Sequence, residues 1–168
     1  LQWPIGKLSD TFDRRKVLFV VTTLASLAAL VAAAVATLSV PGLLVIVFLF
    51  GGLALPMYSL CVAHTNDALE PQQMVAASSN LVLTFGVGAA LGPSLAAAVM
   101  GLLGPNGFFW YLTVVHACIG IFALYRMTQR SSVSPNEQGL CVPIGSATSQ
   151  VAMAMAQEAT VSQAAGND

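Results

Sequence analysis

The chain alternates between long apolar runs and short polar segments. No Asp, Glu, Lys or Arg occurs from Val17 to Asn66, and a second uncharged run extends from Pro71 to Tyr125. One helical crossing of a bilayer takes about 20 apolar residues. Each run has room for two crossings, so four membrane-spanning helices are predicted, over about 17–38, 43–65, 74–103 and 108–127.

Glycine and proline residues punctuate these spans. The segment 39–42 carries Pro and Gly and is a turn signal that separates the first two spans. Within the second span, Gly51-Gly52 and Pro56 favour a bend, because proline removes one backbone donor. The third span is longer than one perpendicular crossing needs, so it should tilt, kink at Gly92-Pro93, or project from the membrane.

Composition supports an all-α membrane protein with two segments. Only 8% of the residues are charged, against about 25% in soluble domains. Residues 1–130 are expected to form the transmembrane portion. Residues 131–168 are polar and should be a disordered cytoplasmic tail, with one frayed helix near 148–160. Leu1–Ile5 looks like the last turn of an earlier apolar helix, so we expect the chain to be a fragment that starts mid-protein.

The basic residues predict the orientation of the spans. Four of the six lie between Lys7 and Lys16, and Arg126 and Arg130 follow the last span, whereas the turns at 39–42 and 103–107 have none. Short cytoplasmic loops of membrane proteins carry the excess of Lys and Arg. Both ends of the chain are therefore expected to be cytoplasmic, in agreement with an even number of crossings.

Polar residues near the ends of the spans are candidates for function. His64, Asn66 and Asp67 cluster at the end of the second span, and ionisable groups at membrane depth are costly. Two interpretations remain open for His64: a role in proton coupling or gating, and plain hydration or helix capping. His116, deeper in the last span, is expected to form a helix–helix hydrogen bond.

Other polar and small residues predict contacts within the membrane. Tyr58, Asn80 and Thr84 are the polar groups expected to face a cavity on a substrate or proton path. A smooth face suited to close helix packing is predicted for the third span, and this packing is favoured over a substrate path. Its members are Gly86, Gly88, Gly92 and Pro93.

No catalytic or ligand-binding motif accompanies these residues. The sequence has no phosphate-cradling glycine loop, no metal-ligand spacing and no nucleophile elbow. The three cysteines are expected to be free thiols, because two lie in apolar segments and the third in the polar tail. We therefore expect neither an enzyme, nor a metal or cofactor, nor a nucleic-acid partner.

The charged segment from Gly6 to Arg15 resembles motif A of the major facilitator superfamily, roughly G-x-L-[SAG]-D-[RK]-x-G-R-[RK]. Thr11 stands where the motif has a basic residue, and Asp13 where it has a second glycine. Such departures resemble the second copy of the motif, between helices eight and nine of the family. Segments 58–67 and 85–93 resemble the YcaD-like bacterial branch of that family. The positions that match the motif are Gly6, Leu8, Ser9, Asp10, Arg14 and Arg15.

The resemblance implies a fold and a gate. The chain would hold the end of helix eight and helices nine to twelve of a protein with two six-helix halves around a central cavity. Gly6, Asp10, Arg14 and Arg15 would form a gating loop, in which Asp10 caps a helix of the other half and the arginines pair with acids. The alternative is that the arginines only anchor the helix end. Helices nine and twelve of the family are supporting helices, which makes Thr22, Thr23 and Ser26 packing residues.

The resemblance also implies a function. The expected protein is a secondary active transporter of a small solute, working by alternating access in a bacterial inner membrane. Its partners would be the lipid bilayer, the amino-terminal half of the same transporter, and an unknown solute with protons as a candidate coupling ion. The alternative is a non-transporting four-helix membrane adaptor or assembly subunit.

Overall fold

The computed structural model describes residues 2–36, 39–67, 69, 73–129 and 155 of the 168. The helices among these residues are α1 Gln2–Thr11, α2 Arg14–Val35, α3 Val40–Ala54, α4 Pro56–Asn66, α5 Met74–Leu103 and α6 Gly107–Gln129. No strand occurs in the described part of the chain. Apart from Met155, the predicted disordered tail and its frayed helix lie outside the described residues.

Four helical stretches are long and apolar enough to cross a membrane, which confirms the predicted number of spans. They are α2, the combined stretch Val40–Asn66, α5 from Ala76 onward, and α6. A further helix, α1, precedes them, and its assignment to the end of helix eight stays a prediction. The predicted all-α membrane architecture is therefore confirmed for the described residues.

The junction between α1 and α2 is shorter than the sequence suggested. The resemblance implies a gating loop across Gly6 to Arg15, but only Phe12 and Asp13 lie outside the two helices. Asp13 caps α2, because its side chain accepts a hydrogen bond from the backbone N–H of Arg15 at 3.0 Å. Capping of this kind satisfies one of the unpaired donors at a helix start. The motif-like segment is thus a helix end, a two-residue break and a helix start.

The turn signal at 39–42 also acts as a helix start. Ser39 is the N-cap of α3 and accepts a hydrogen bond from the Gly42 N–H at 3.3 Å. Pro41 lies in the first turn, where its missing N–H would have had no helical partner. The expectation that Pro41 and Gly42 lie in a loop is wrong, and the helix begins at Val40.

The second span is interrupted at Leu55, between α3 and α4. Pro56 has no N–H, so it cannot donate to the carbonyl of Gly52 one turn earlier. The Leu55 N–H still donates to the Gly51 carbonyl at 3.0 Å, which limits the interruption to one residue. In α5, by contrast, the helix continues through Pro93 from Met74 to Leu103.

Helix α2 is the centre of the packing, with its principal contacts to α1, α3, α4 and α6. Its most extensive contact is with α6, where Ala25 is fully buried and the Ser26 hydroxyl donates to the Thr113 carbonyl at 3.0 Å. The hydroxyls of Thr22 and Thr23 bond back to carbonyls of α2. All three polar residues therefore pack as predicted, in the pair of helices that the resemblance identified as supporting.

His116 lies in the same region but does not bridge two helices by a hydrogen bond. Its Nδ1 donates to the Leu112 carbonyl of its own helix at 2.8 Å. Its ring meets the ring of Phe50 edge-on, with the centroids 5.0 Å apart. The expected helix–helix hydrogen bond is wrong, because a carbonyl one turn back is closer at hand and the neighbouring helix offers an apolar ring.

The outer faces of the bundle are apolar. Helix α3 has no buried residue, and its Phe48 side chain is 76% exposed. Helix α5 exposes Leu83, Leu91 and Leu95 along its length. Extended apolar surface of this kind is incompatible with water and suits lipid chains. The chain is a multi-pass membrane protein that contacts the bilayer through these faces.

Candidate functional site

A cluster of charged residues lies where α1 ends, α2 begins and α4 ends. We call its members, Asp10, Asp13, Arg14, Arg15 and Asp67, the charge cluster. Arg14 is at its centre, with a side chain only 2% exposed. Its Nε lies 3.1 Å from Oδ2 of Asp67, and its Nη2 donates a hydrogen bond to Oδ1 of Asp10 at 3.4 Å.

The pair between Arg14 and Asp67 joins two helices through charges that each helix disfavours by itself. Arg14 is the first residue of α2, and Asp67 follows α4 as its C-cap. The N-terminus of a helix carries partial positive charge and the C-terminus partial negative charge. A cation at the first position and an anion at the last are both unfavourable there. Each residue therefore depends on the other, and on neighbouring counter-charges, for compensation.

The surroundings of the pair exclude water. The Asp67 side chain is 4% exposed, whereas that of Asp10 is 25% exposed. Beside the charge cluster the same three helices form a buried apolar cluster of Ile5, Val17, Val21 and Leu60. Removing one partner of a buried ion pair generally costs about 3–5 kcal/mol, because the other charge is left buried. The pair is thus costly to disrupt, and Asp10 contributes less than Asp67.

His64 and Asn66 lie on α4 beside the charge cluster. His64 is half-buried in the last turn of α4 and is electrostatically coupled to Arg14, Arg15, Asp13 and Asp67. Asn66 Oδ1 is buried and accepts no hydrogen bond from the described residues. The structure therefore brings together His64 and Asp67 with three of the gating residues.

The remaining polar candidates lie along α4 and α5. The Tyr58 ring meets the Phe85 ring edge-on, with centroids 5.5 Å apart, and so connects α4 to α5. Asn80 and Thr84 are exposed on α5, and the Thr84 hydroxyl donates to the Asn80 carbonyl at 2.8 Å. These residues are accessible from outside the described bundle, and their role on a substrate or proton path stays a prediction.

The glycines of the predicted packing face on α5 have few close contacts with the other described helices. A side chain added at Gly86 or Gly88 would meet nothing within 4 Å, and one at Gly92 would first reach the Tyr111 hydroxyl at 4.0 Å. Pro93 is exposed as well. Helices α1 to α6 therefore do not pack closely against this face. Its predicted role in helix packing stays a prediction, and it would require a helix outside the described residues.

Two other glycines, which sequence reasoning did not single out, do set helix contacts. A Cβ at Gly107 would lie 2.8 Å from the Val99 carbonyl oxygen, so α5 and α6 approach closely at their turn. A Cβ at Gly120 would lie 3.3 Å from Oγ1 of Thr22, at the contact between α2 and α6. Neither glycine belongs to a GxxxG pattern, so spacing alone carries no signal for them.

The pairing of Arg14 with Asp67 was also missed, although the sequence contains a signal for it. Asp67 and Glu70 are the only acids between two long uncharged runs. An acid there is costly unless a basic residue compensates it, and the basic residues at that end of the bundle lie at the start of α2. The acids and bases that lie at the same end of the bundle therefore indicate a basic residue of α2 as the partner of Asp67.

No group of three His, Cys, Asp or Glu side chains in the described part of the chain could hold a metal ion. Cys61 and Cys118 are free thiols, and Cys141 lies outside the described residues.

Comparisons with known proteins identify the family of this chain. A family model described as Major Facilitator Superfamily matches residues 1–161. The uncharacterized MFS-type transporter YcaD of Salmonella paratyphi B (strain ATCC BAA-1250 / SPB7) is 33% identical over 138 residues, which are 80% of this chain and 33% of that protein. YcaD of Salmonella newport (strain SL254) matches to the same extent. No solved structure matches the chain.

The chain spans about one third of the length of the curated relatives that it matches. The family model, however, covers nearly all of it, and the matched residues include the charge cluster and all four apolar spans. This chain belongs to the Major Facilitator Superfamily.

Proposed function

We propose that the chain is the carboxy-terminal portion of a secondary transporter that moves a small solute by alternating access. The observation that carries the proposal is the buried pair of Arg14 and Asp67, which fixes the start of α2 to the end of α4. Family membership supports it, because transporters of this architecture rock one half against the other around a central site.

In this proposal the charge cluster is one side of a gate. Arg14 holds Asp67 and Asp10, Arg15 extends the positive charge, and Gly6 belongs to the helix end that carries Asp10. Asp10 is the more exposed acid of the two that contact Arg14, and in this proposal it would exchange Arg14 for the positive N-terminus of a helix in the other half. The gate closes when Asp10 makes that contact and opens when it is lost.

The path for the solute lies along α4 and α5. Helix α5 packs mainly against α4 and α6, and it leaves Asn80, Thr84, Gly86 and Gly88 exposed. Together with Tyr58, His64 and Asn66 they would form the surface that faces the amino-terminal half, and Asp67 lies buried beside it in its pair with Arg14. Protons are the candidate coupling ion, because His64 and Asp67 are ionisable groups beside this surface.

The orientation follows from the charges. The charge cluster would face the cytoplasm of a bacterial cell, in the inner membrane, since Lys and Arg concentrate on the cytoplasmic side. Helix α6 ends with Arg126 in its last turn, at the same end of the bundle as the start of α2. Both ends of this chain would then be cytoplasmic.

Site-directed alkylation tests the proposal. In the complete transporter, freed of its other cysteines, Thr84→Cys should react with a membrane-impermeant maleimide added from either side of the membrane. Val114→Cys is the matched control, because its side chain is 58% exposed on α6 and would face lipid. We expect Thr84→Cys to be labelled from both sides and Val114→Cys from neither.

A change in the charge cluster should shift the labelling of Thr84→Cys between the two sides of the membrane. Asp10→Asn removes the acid that closes the gate, so labelling of Thr84→Cys from the cytoplasmic side should rise and labelling from the periplasmic side should fall. Labelling from one side only, unchanged by Asp10→Asn, would contradict alternating access. It would favour the four-helix adaptor, for which α5 is a static docking surface.

A further inference from the structure

A cavity of about 190 Å³ lies between α2, α3 and α6. Its floor is formed by Ala29 and Ala32 of α2, which are both buried. At its mouth are Val47 of α3 and Phe108 of α6, whose side chains are 42% and 38% exposed. The cavity is therefore a recess that opens on the outside of the bundle, between α3 and α6.

The lining of the cavity selects an apolar occupant. The residues that line it, among those that the structure describes, are all apolar. A buried water molecule needs about two to four polar partners, which such a lining does not offer. An empty space, in turn, deprives the lining side chains of dispersion contacts. A comparable apolar cavity of roughly 150 Å³ in another protein stays dry and binds benzene.

The position of the cavity along the helices matches the hydrocarbon region of one bilayer leaflet. Val35 ends α2 three residues after Ala32, and Val40 starts α3 eleven residues before Gly51, which also lines the cavity. At about 1.5 Å per residue, the cavity extends from about 5 Å to about 17 Å from these helix ends. Half of the hydrocarbon core of a bilayer is about 15 Å thick. The cavity thus lies at the depth of lipid chains.

Polar groups lie beyond the cavity, where α3 and α6 begin. The side-chain amide of Asn106 donates to the Ala33 carbonyl at 3.4 Å, and Ser39 caps α3. This order, with polar groups at the helix ends and an apolar recess below them, is also the order of headgroup and chains in a phospholipid. The mouth is continuous with the lipid-facing surface of α3, where Phe48 is 76% exposed. A lipid can therefore reach the cavity directly from the bilayer.

We infer that this cavity is a binding site for the acyl chain of a phospholipid, which enters between α3 and α6 from the leaflet opposite the charge cluster. The chain fills the recess and supplies the dispersion contacts that its lining otherwise lacks. Bulk lipid is as apolar as the cavity, so close packing holds the chain there rather than transfer out of water. The site lies at the other end of α2 from Arg14 and does not depend on the proposed gate.

Photolabelling by lipid tests the site in the complete transporter, freed of its other cysteines. The protein is reconstituted in vesicles of phosphatidylethanolamine and phosphatidylglycerol, with a phosphatidylcholine that carries a diazirine in its acyl chain. Ala29→Cys places a thiol at the buried floor of the cavity. Val114→Cys reports bulk lipid, because Val114 is 58% exposed on α6 and does not line the cavity. Mass spectrometry after illumination measures the lipid adduct at each thiol.

Both thiols should be labelled, and filling the cavity should protect only one of them. Gly51→Leu places a side chain in the cavity, since a Cβ at Gly51 meets no atom within 4 Å. Labelling of Ala29→Cys should then fall at least about threefold, because the space is taken, and labelling of Val114→Cys should not change. Gly101→Leu, at an open position of α5, is the matched control and should leave both thiols labelled as before.

Val47→Trp provides a second test that leaves the floor of the cavity unchanged. The larger side chain narrows the mouth, so it should also lower the labelling of Ala29→Cys. This variant decides the outcome if Gly51→Leu does not fold. Labelling of Ala29→Cys that persists in the folded variants would overturn the inference. So would labelling of Val114→Cys alone in the parent background, which would mean that another helix of the transporter covers the cavity.

Discussion

Arg14 Nε lies 3.1 Å from Asp67 Oδ2, and this contact ties the first residue of α2 to the residue that caps α4. Both side chains are almost completely buried. Both charges also sit at the helix end that disfavours them, so the helix dipoles do not hold them in place. Their mutual attraction, in surroundings of low polarity, does so instead.

The two acids that contact Arg14 should differ in their effect on stability. Asp67→Asn should lower the free energy of unfolding by about 3–5 kcal/mol, because it leaves Arg14 buried without its nearest counter-charge. Asp10→Asn should cost about 0.3–0.5 kcal/mol, the usual value of an (i, i+4) pair that water reaches. Thermal unfolding of the purified transporter in detergent measures both.

A double variant shows whether the cost of Asp67→Asn comes from the buried guanidinium. Arg14→Gln with Asp67→Asn should be more stable than the sum of the single variants indicates, with a coupling of about 0.5–3 kcal/mol. Additive losses would mean that Asp67 stabilises the protein through other contacts.

The glycine at the turn between α5 and α6 should tolerate no side chain. Gly107→Ala places a methyl group 2.8 Å from the Val99 carbonyl oxygen, which is backbone and cannot rotate away. We expect a loss of about 1–3 kcal/mol in unfolding free energy. Gly101→Ala is the matched control: its site is open, and it should gain up to about 1 kcal/mol from helix propensity. Equal effects of the two changes would contradict the close approach.

The hydroxyl of Ser26 should contribute a modest interhelical bond. Ser26→Ala removes the donor to the Thr113 carbonyl and should cost about 0.6 kcal/mol, with about 1.7 kcal/mol as the upper end for such bonds in membranes. Ser94→Ala, at an exposed position of α5, should be neutral. Unfolding in mixed micelles with increasing SDS compares the two variants.

The glycine face of α5 should matter for motion rather than for folding of this portion. A Cβ at Gly88 meets no atom of the described residues within 4 Å, so Gly88→Leu should not lower the unfolding transition. If the amino-terminal half slides along this face, the added side chain should block it. Labelling of Thr84→Cys should then become restricted to one side of the membrane, whereas Gly101→Leu should leave it two-sided. Two-sided labelling in Gly88→Leu would rule out a rocking surface at this position.

Local signals identified most elements but misplaced several helix boundaries. Pro56 interrupts the second span as expected, because a missing N–H acts wherever the chain is helical. Pro41 predicts a helix stop but lies in the first turn of α3, because proline is compatible with either side of a helix start. The charged composition of the segment from Gly6 to Lys16 does not reveal that α2 starts directly after a cap at Asp13.

The sequence by itself determined that the chain has four stretches long and apolar enough to cross a membrane, and that its charges are concentrated outside them. Hydrophobic length and charge placement are local properties, and the bilayer acts on them directly. Only the tertiary structure decided which acid compensates Arg14, and which glycines allow close approach. Those outcomes depend on how α2 meets α4 and α6, and side-chain packing between helices distant in sequence leaves no fixed spacing in the chain.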